Sequence, residues 1–200
     1  MPKVPDAKPG AGASCAIPLP PVKWRIAQTF SIMSRDWYAS VTVAAVIERG
    51  GRFLLVEEET RDGLRLNQPA GHLEAGESLI RAVIRETLEE TAHTFEPRAL
   101  LGVYMGRVVP GGEEEGDKGE DVTYLRFAFT GDLGSLDEGR TLDTGIIRTV
   151  WMSAEELRGC PERHRTPLLM ACVNDYLAGK RFALDALYTH PSVLAPGAVR

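Results

Sequence analysis

Three glutamates fall within five consecutive positions, Glu86, Glu89 and Glu90, in the run Arg85-Glu86-Thr87-Leu88-Glu89-Glu90. On an α-helix each residue advances about 100°, so the three carboxylates project within a sector of roughly 100°. Ile80, Ile84, Thr87, Leu88 and Thr91 are expected on the opposite side, packing into a core. Like charges at this spacing repel and weaken an isolated helix, so local stability does not explain the cluster. Hard divalent cations, which take several oxygen ligands, do explain it. Residues 71–93 are therefore a candidate magnesium site, with a glycine-containing turn (Gly71, Gly76) and a further carboxylate, Glu77, ahead of the helix. The two glycines would let the backbone turn tightly around it.

The elements that must carry this helix can be read along the chain. Val41 to Glu48 is rich in β-branched residues, and Gly50-Gly51 turns it into Arg52 to Glu58, a hairpin by composition and spacing. Leu64 to Leu66 is a short strand, and Asn67 to Gly71 is the loop entering the acidic motif. Ser78 is placed to cap a helix running to Thr91. Leu100 to Val109 and Val122 to Thr130 read as two more strands, joined by a glycine-rich acidic loop, and Ile146 to Met152 as another. Ser153 and Glu156 have capping-box spacing for a short helix. Pro167 and Gly179 bracket a last helix with Leu168, Leu169, Cys172, Val173 and Leu177 at helical intervals. Hairpin-like strands interrupted by a central and a terminal helix predict an α/β fold with a mixed sheet between helices.

Two hundred residues with 44% hydrophobic composition suit one globular domain. Residues 1–35 are crowded with proline, which at this density joins neither helix nor central strand, and are expected to form a disordered tail. Residues 36–190 form the expected domain, and 191–200 a loose C-terminal tail. The net charge of −5 is local: within the insertion 111–121, Glu113, Glu114, Glu115, Asp117, Glu120 and Asp121 oppose only Lys118. That leaves no basic stripe for a nucleic-acid polymer. Glycine between charges is ordinary for a solvated loop, the reading preferred over Glu120 or Asp121 as an extra metal ligand. Cys15, Cys160 and Cys172 lack disulfide or zinc-site spacing, so a cytoplasmic setting is expected. No apolar run has the length of a membrane span, and prolines interrupt the N-terminal apolar stretch, against a signal peptide.

The segment GHLEAGESLIRAVIRETLEETAH resembles the Nudix box, G-x5-E-x7-R-E-U-x-E-E-x-G-U, where U is bulky and apolar. Gly71, Glu77, Arg85, Glu86, Glu89 and Glu90 stand at the matching positions. Thr87 stands at the first U, Ala92 replaces the final glycine and His93 the last apolar residue, departures that touch the helix exit rather than the acidic face. VTVAAVI, FLLVEEE, NQPAGHLEAGE, YLRFAF and YLAGKRF resemble the NudJ-like phosphatases of that superfamily, over a span from Val41 to Leu187.

The resemblance implies an α/β/α sandwich and hydrolysis of phosphoanhydride bonds in nucleoside tri- and diphosphates, and in the pyrophosphate of the thiamine pyrimidine precursor. It implies Glu86, Glu89 and Glu90 as ligands of Mg²⁺, with Mn²⁺ as a substitute. One of them, or a carboxylate from another loop, would also take the proton from the attacking water. Arg85 and Glu77 would be a pair that orients loop and helix, and Gly71 would give the backbone room beside the metal site. Competing readings are ADP-ribose or dinucleotide cleavage, and a nucleotide sensor that does not cut. A proline that some ADP-ribose-cleaving relatives carry beyond the box corresponds to Arg107 here, and the NADH-cleaving SQPWPFPxS element is missing. Sensors of this fold commonly lose metal-site carboxylates, whereas all three are kept.

Several flanking residues have plainer readings. Gln68 and His72 could touch phosphate or simply hydrogen-bond the loop. His93 is expected to meet the helix C-terminal dipole, and Trp151 and Tyr124 to serve the core. The expected partner is a small phosphorylated substrate, and the expected assembly a monomer or homodimer. Met33 lies just before the globular pattern and is the expected natural start. An intact mass of the native protein beginning at Met33 would support this, and one that includes Pro2 or Lys3 would overturn it.

Overall fold

Gly50 and Gly51, at φ of 60° and 79°, make the turn that returns the first strands on themselves. Strand β1 (Ser40–Val46) and the two-residue β2 (Glu48–Arg49) lead into it, and β3 (Arg52–Thr60) leads out. The computed structural model describes residues 37–108 and 121–194. The expected N-terminal tail, the acidic insertion apart from Asp121, and residues 195–200 lie outside the described residues. After β3 come β4 (Gly63–Asn67), β5 (Ala70–His72), α1 (Leu79–Thr91), β6 (His93–Val108), β7 (Val122–Leu136), β8 (Ile146–Ser153), α2 (Ala154–Arg158) and α3 (Leu168–Leu177). Among the described residues no helix is long and apolar enough to cross a membrane.

Two four-stranded sheets form the middle layer. One has the order β5-β1-β7-β6, with β1 and β7 parallel and the other pairs antiparallel, so it is mixed as expected. In the other, β3 pairs antiparallel with β2, β4 and β8. Alternation along the strands feeds two cores. Ala44, Val46, Phe53, Leu55 and Leu101 pack with Leu157 of α2 and Leu169, Cys172 and Val173 of α3. Val43, Ala45, Leu54, Phe95 and Phe129 pack with Ala82 and Val83 of α1. Both faces of β1 are therefore covered, which is why VTVAAVI reads as a continuous apolar run rather than an alternating one. The result is the α/β/α sandwich.

The structure corrects several boundaries. The loop expected at Asn67 to Gly71 contains β5, whose Gly71 pairs with Val43. Strand β6 starts at His93 rather than Leu100, and β7 continues to Leu136, because the antiparallel β6–β7 ladder runs on past the core. The apolar face of α1 also differs. Ala82, Val83, Thr87 and Thr91 are buried, while Ile84 and Leu88 are only half-buried. Small residues let the helix approach the sheet closely, and Glu86 is buried with them. The two threonines satisfy their hydroxyls inside the helix: Thr87 Oγ1 donates to the Val83 carbonyl (2.7 Å) and Thr91 Oγ1 to that of Thr87 (2.6 Å). Likewise α3 buries Leu169, Cys172 and Val173 but leaves Leu177 exposed.

The caps follow the sequence. Ser78 Oγ accepts from the Arg81 amide at 3.2 Å, and Ser153 and Glu156 complete their capping box. At the other end of α1, Ala92 adopts the left-handed conformation (φ 56°), alone among the described non-glycine residues, and its N–H reaches the Leu88 carbonyl. This conformation costs a non-glycine residue about 1–2 kcal/mol, offset in part by the buried methyl group, worth about 0.8 kcal/mol. His93 Nδ1 lies 2.8 Å from the Thr91 carbonyl, at the helix end as expected, while its backbone already begins β6. Ala92→Gly should change stability by less than about 1 kcal/mol, because the two terms nearly cancel. Ala92→Val, β-branched at positive φ, should cost about 2 kcal/mol or more. Urea denaturation of both variants checks this.

Candidate active site

Arg85 is the hub of the acidic motif. Its Nη2 and Nε grip Glu77 at 2.8 and 3.2 Å, and Nη1 donates to Glu86 Oε1 (2.7 Å) and Glu89 Oε2 (2.9 Å). Nη2 also donates to the His72 carbonyl at 3.0 Å, and Glu74 lies 3.9 Å from Nη1. One guanidinium thus ties the loop, β5 and the helix together, a geometry its planar fork permits and a lysine could not reproduce. Burial pulls the Glu77 carboxyl upward, but hydrogen bonds from Arg85 and the Glu74 amide outweigh it and leave Glu77 below its ordinary value.

Glu90 stands apart from that fork. Its Oε2 accepts from the Ala70 amide at 2.8 Å. Burial pushes its pKa up to about 8, the Ala70 hydrogen bond opposes this, and repulsion from Glu86, Glu58 and Asp143 adds to it. Glu86 is raised as well, first by burial, against the pull of Arg85. Gly71 explains how Glu86 fits: a Cβ added there would land inside the Glu86 carboxylate. Glycine is required at this position for space, at ordinary negative φ.

Glu74, Glu86, Glu89 and Glu90 open onto one cleft of about 1000 Å³, which they share with Thr42, Glu58, Asn67, Tyr124, Arg126, Asp143 and Arg165. Sequence reasoning missed Glu58, Asp143, Arg126 and Thr42. Glu58 had a visible signal in the acid run at the end of β3. Asp143 had none, since it is brought in by its amide donating to the Glu89 carbonyl (3.1 Å). The flanking candidates separate. Gln68 is a buried hydrogen-bonder, donating to the Leu169 carbonyl at 2.9 Å. His72 lines the cleft with its ring 6.2 Å from that of Tyr124, so Tyr124 serves the cleft wall rather than the core. Trp151 packs partly on the α1 side of the core, with Arg49 over its ring. Asp121 pairs with Arg107 (2.6 Å) at the cleft rim.

Among the described residues no three carboxylate, histidine or cysteine groups stand together at metal-ligating geometry; the Arg85 fork takes oxygens of Glu86 and Glu89 instead. The chemistry of the donor set still fits a hard divalent cation. It is all oxygen, and Glu58 Oε1 is buried without a hydrogen-bond partner beside it. In the absence of a cation, Glu90 holds its proton more tightly folded than unfolded. Its contribution to stability is therefore full below about pH 4.5 and is lost as pH rises through about 8. In a chelating buffer, the melting temperature should fall across that window, and Glu90→Gln should flatten the fall and melt higher than wild type above pH 8. An unchanged slope in a pH series of thermal melts would contradict the burial argument.

A family model described as the NUDIX domain matches residues 38–170. Phosphatase NudJ of Escherichia coli K12 is 33% identical over 147 residues, covering 74% of this chain and 89% of that protein, and phosphatase NudJ of Shigella flexneri matches equally. A NUDIX hydrolase structure from Nitrosomonas europaea is 50% identical, with a TM-score of 0.70, covering 76% of this chain and 98% of its own. The MutT protein from Methanosarcina mazei Go1, 22% identical, shares the fold with a TM-score of 0.57, over 74% of this chain and 100% of that one. The chain belongs to the Nudix family and resembles its NudJ phosphatases, and it is a hydrolase of phosphoric anhydrides.

Proposed function

We propose that the protein is a Mg²⁺-dependent pyrophosphohydrolase of the NudJ type. The observation that carries this reading is the convergence of Glu86, Glu89 and Glu90 with Glu58 and Asp143 on one cleft large enough for a nucleotide-sized substrate. Glu86, Glu89 and Glu90 would hold Mg²⁺, with Mn²⁺ as a substitute, once Arg85 yields the oxygens it shares with Glu86 and Glu89. A divalent cation held there would neutralise phosphoryl oxygens and make a nucleophile available from water near neutral pH. The chain supplies the rest. Arg85 and Glu77 keep loop and helix in register, and Gly71 leaves the Glu86 carboxylate its position. One carboxylate of the cleft accepts the proton of the attacking water, with Glu58 and Asp143 as candidates besides the helix three. Tyr124 and His72 offer flat faces at the cleft wall for a base or pyrimidine ring.

The proposed substrates are nucleoside di- and triphosphates and the pyrophosphate of the thiamine pyrimidine precursor. The name phosphatase NudJ, carried by the relatives, supports a phosphate-releasing reaction. The odd number of cysteines, with Cys160 and Cys172 free, supports a cytoplasmic setting, and we propose a monomer or homodimer. Glu89→Gln and Glu90→Gln should each lower turnover at least about 100-fold while the far-ultraviolet circular dichroism spectrum stays unchanged. A phosphate-release screen over nucleotides, thiamine-type pyrophosphates and ADP-ribose, with and without Mg²⁺, checks both the reaction and the substrate class. Unchanged turnover of both variants in Mg²⁺ would overturn the proposal.

A further inference from the structure

Arg126, on β7, is a buried cation that makes no direct ion pair among the described residues. It is 7% exposed, its Nε has no hydrogen-bond partner, and its Nη1 makes only a long contact, 3.4 Å, to Gln68 Oε1. Its neighbour Cys172 offers no charge, since burial pushes that thiol up to about 11 and keeps it neutral near pH 7. A guanidinium cannot shed its proton to escape burial, and an unpaired buried charge is costly. Glu58 and Glu90 attract it, but Arg165 takes Glu58 Oε2 at 3.3 Å and the Ala70 amide takes Glu90 Oε2.

The surroundings repeat the pattern. Among the described residues the buried side-chain polar atoms without a partner are Thr42 Oγ1, Glu58 Oε1, Asn67 Oδ1 and Arg126 Nε, and all four residues line the active-site cleft. Thr42 is 6% exposed and lies directly opposite Arg126 in the parallel β1–β7 register. Natural proteins leave few such groups unpaired, so their concentration in a single cleft marks a place shaped for a polar ligand. Eight carboxylates and six arginines line that cleft, and of the arginines Arg126 alone is buried. A guanidinium fork is matched in shape and charge to phosphoryl oxygens.

We infer that Arg126, with the Thr42 hydroxyl beside it, is an anion-binding subsite that grips one phosphoryl group of a diphosphate substrate independently of any metal ion. The inference rests on the pyrophosphohydrolase reading only for the identity of the ligand. The carboxylates handle the phosphoryl group that is attacked, and Arg126 holds the other, so its loss should act on binding rather than on the chemical step.

The test uses the full chain in a chelating buffer, with inorganic pyrophosphate titrated calorimetrically. Wild type should bind it, and Arg126→Met should weaken binding at least about tenfold while melting at or above the wild-type temperature, because an unpaired buried charge has been removed. Arg126→Lys and Thr42→Val should each weaken binding at least about threefold. In turnover with Mg²⁺, Arg126→Lys should raise KM while leaving kcat within about threefold. A purely structural arginine would give the reverse: a lower melting temperature with unchanged affinity. Wild-type affinity in Arg126→Met, or in Arg126→Lys should the methionine variant not fold, overturns the inference, as does failure of wild type to bind pyrophosphate. If wild type binds pyrophosphate but hydrolyses nothing in the screen, the hydrolase reading fails and the subsite stands.

Discussion

Everything in this active site depends on the way one arginine is shared. Glu77, Glu86 and Glu89 crowd around Arg85, whose fork also reaches the His72 carbonyl. Glu86 and Glu89 share one face of the helix, where like charges repel. The guanidinium reverses that tendency. It draws the acids inward, keeps its own proton firmly through those same contacts, and turns a repulsive cluster into a link between loop, strand and helix. The cost is moved to Glu90, which lies outside the fork and carries the remaining strain of burial and like charge.

What could be read from the residues was mostly what acts over short distances. The Gly50-Gly51 turn, the Ser78 cap and the Ser153–Glu156 capping box each depend on neighbours within a few positions, and each forms as its spacing implies. The burial of Glu86 was hidden because it is decided by how close α1 sits to β1 and β5, which no helical wheel contains. β5 was hidden for a similar reason: three residues become a strand only because β1 offers them an edge. Arg126 and Thr42 meet through a parallel register between strands far apart in the chain, and nothing local to either residue announces it.

The acid run at the end of β3 shows how finely burial sorts identical side chains. Glu57 is almost fully buried and held by both Arg148 and Arg163. Its neighbour Glu58 passes a bulge in the β3–β8 pairing and lines the cleft, with one oxygen unmatched. Glu59 is exposed. Adjacent glutamates thus serve as a structural anchor, a half-buried cleft group and an exposed residue at the cleft edge. Glu58 points to the opposite face from the other two, and Glu57 differs from Glu59 in having Arg148 and Arg163 brought to it.

The long β6–β7 ladder has a consequence of another kind. It closes at the Val108–Val122 pair, and Arg107 and Val108 stand on the cleft rim. That pairing sets the spacing of the rim from Tyr124 and Arg126, which line the cleft two and four rungs below it. The register shifts all lie nearer the His93 end, so the regular rungs from Gly102–Ala128 to Val108–Val122 hold the rim in line with the cleft floor.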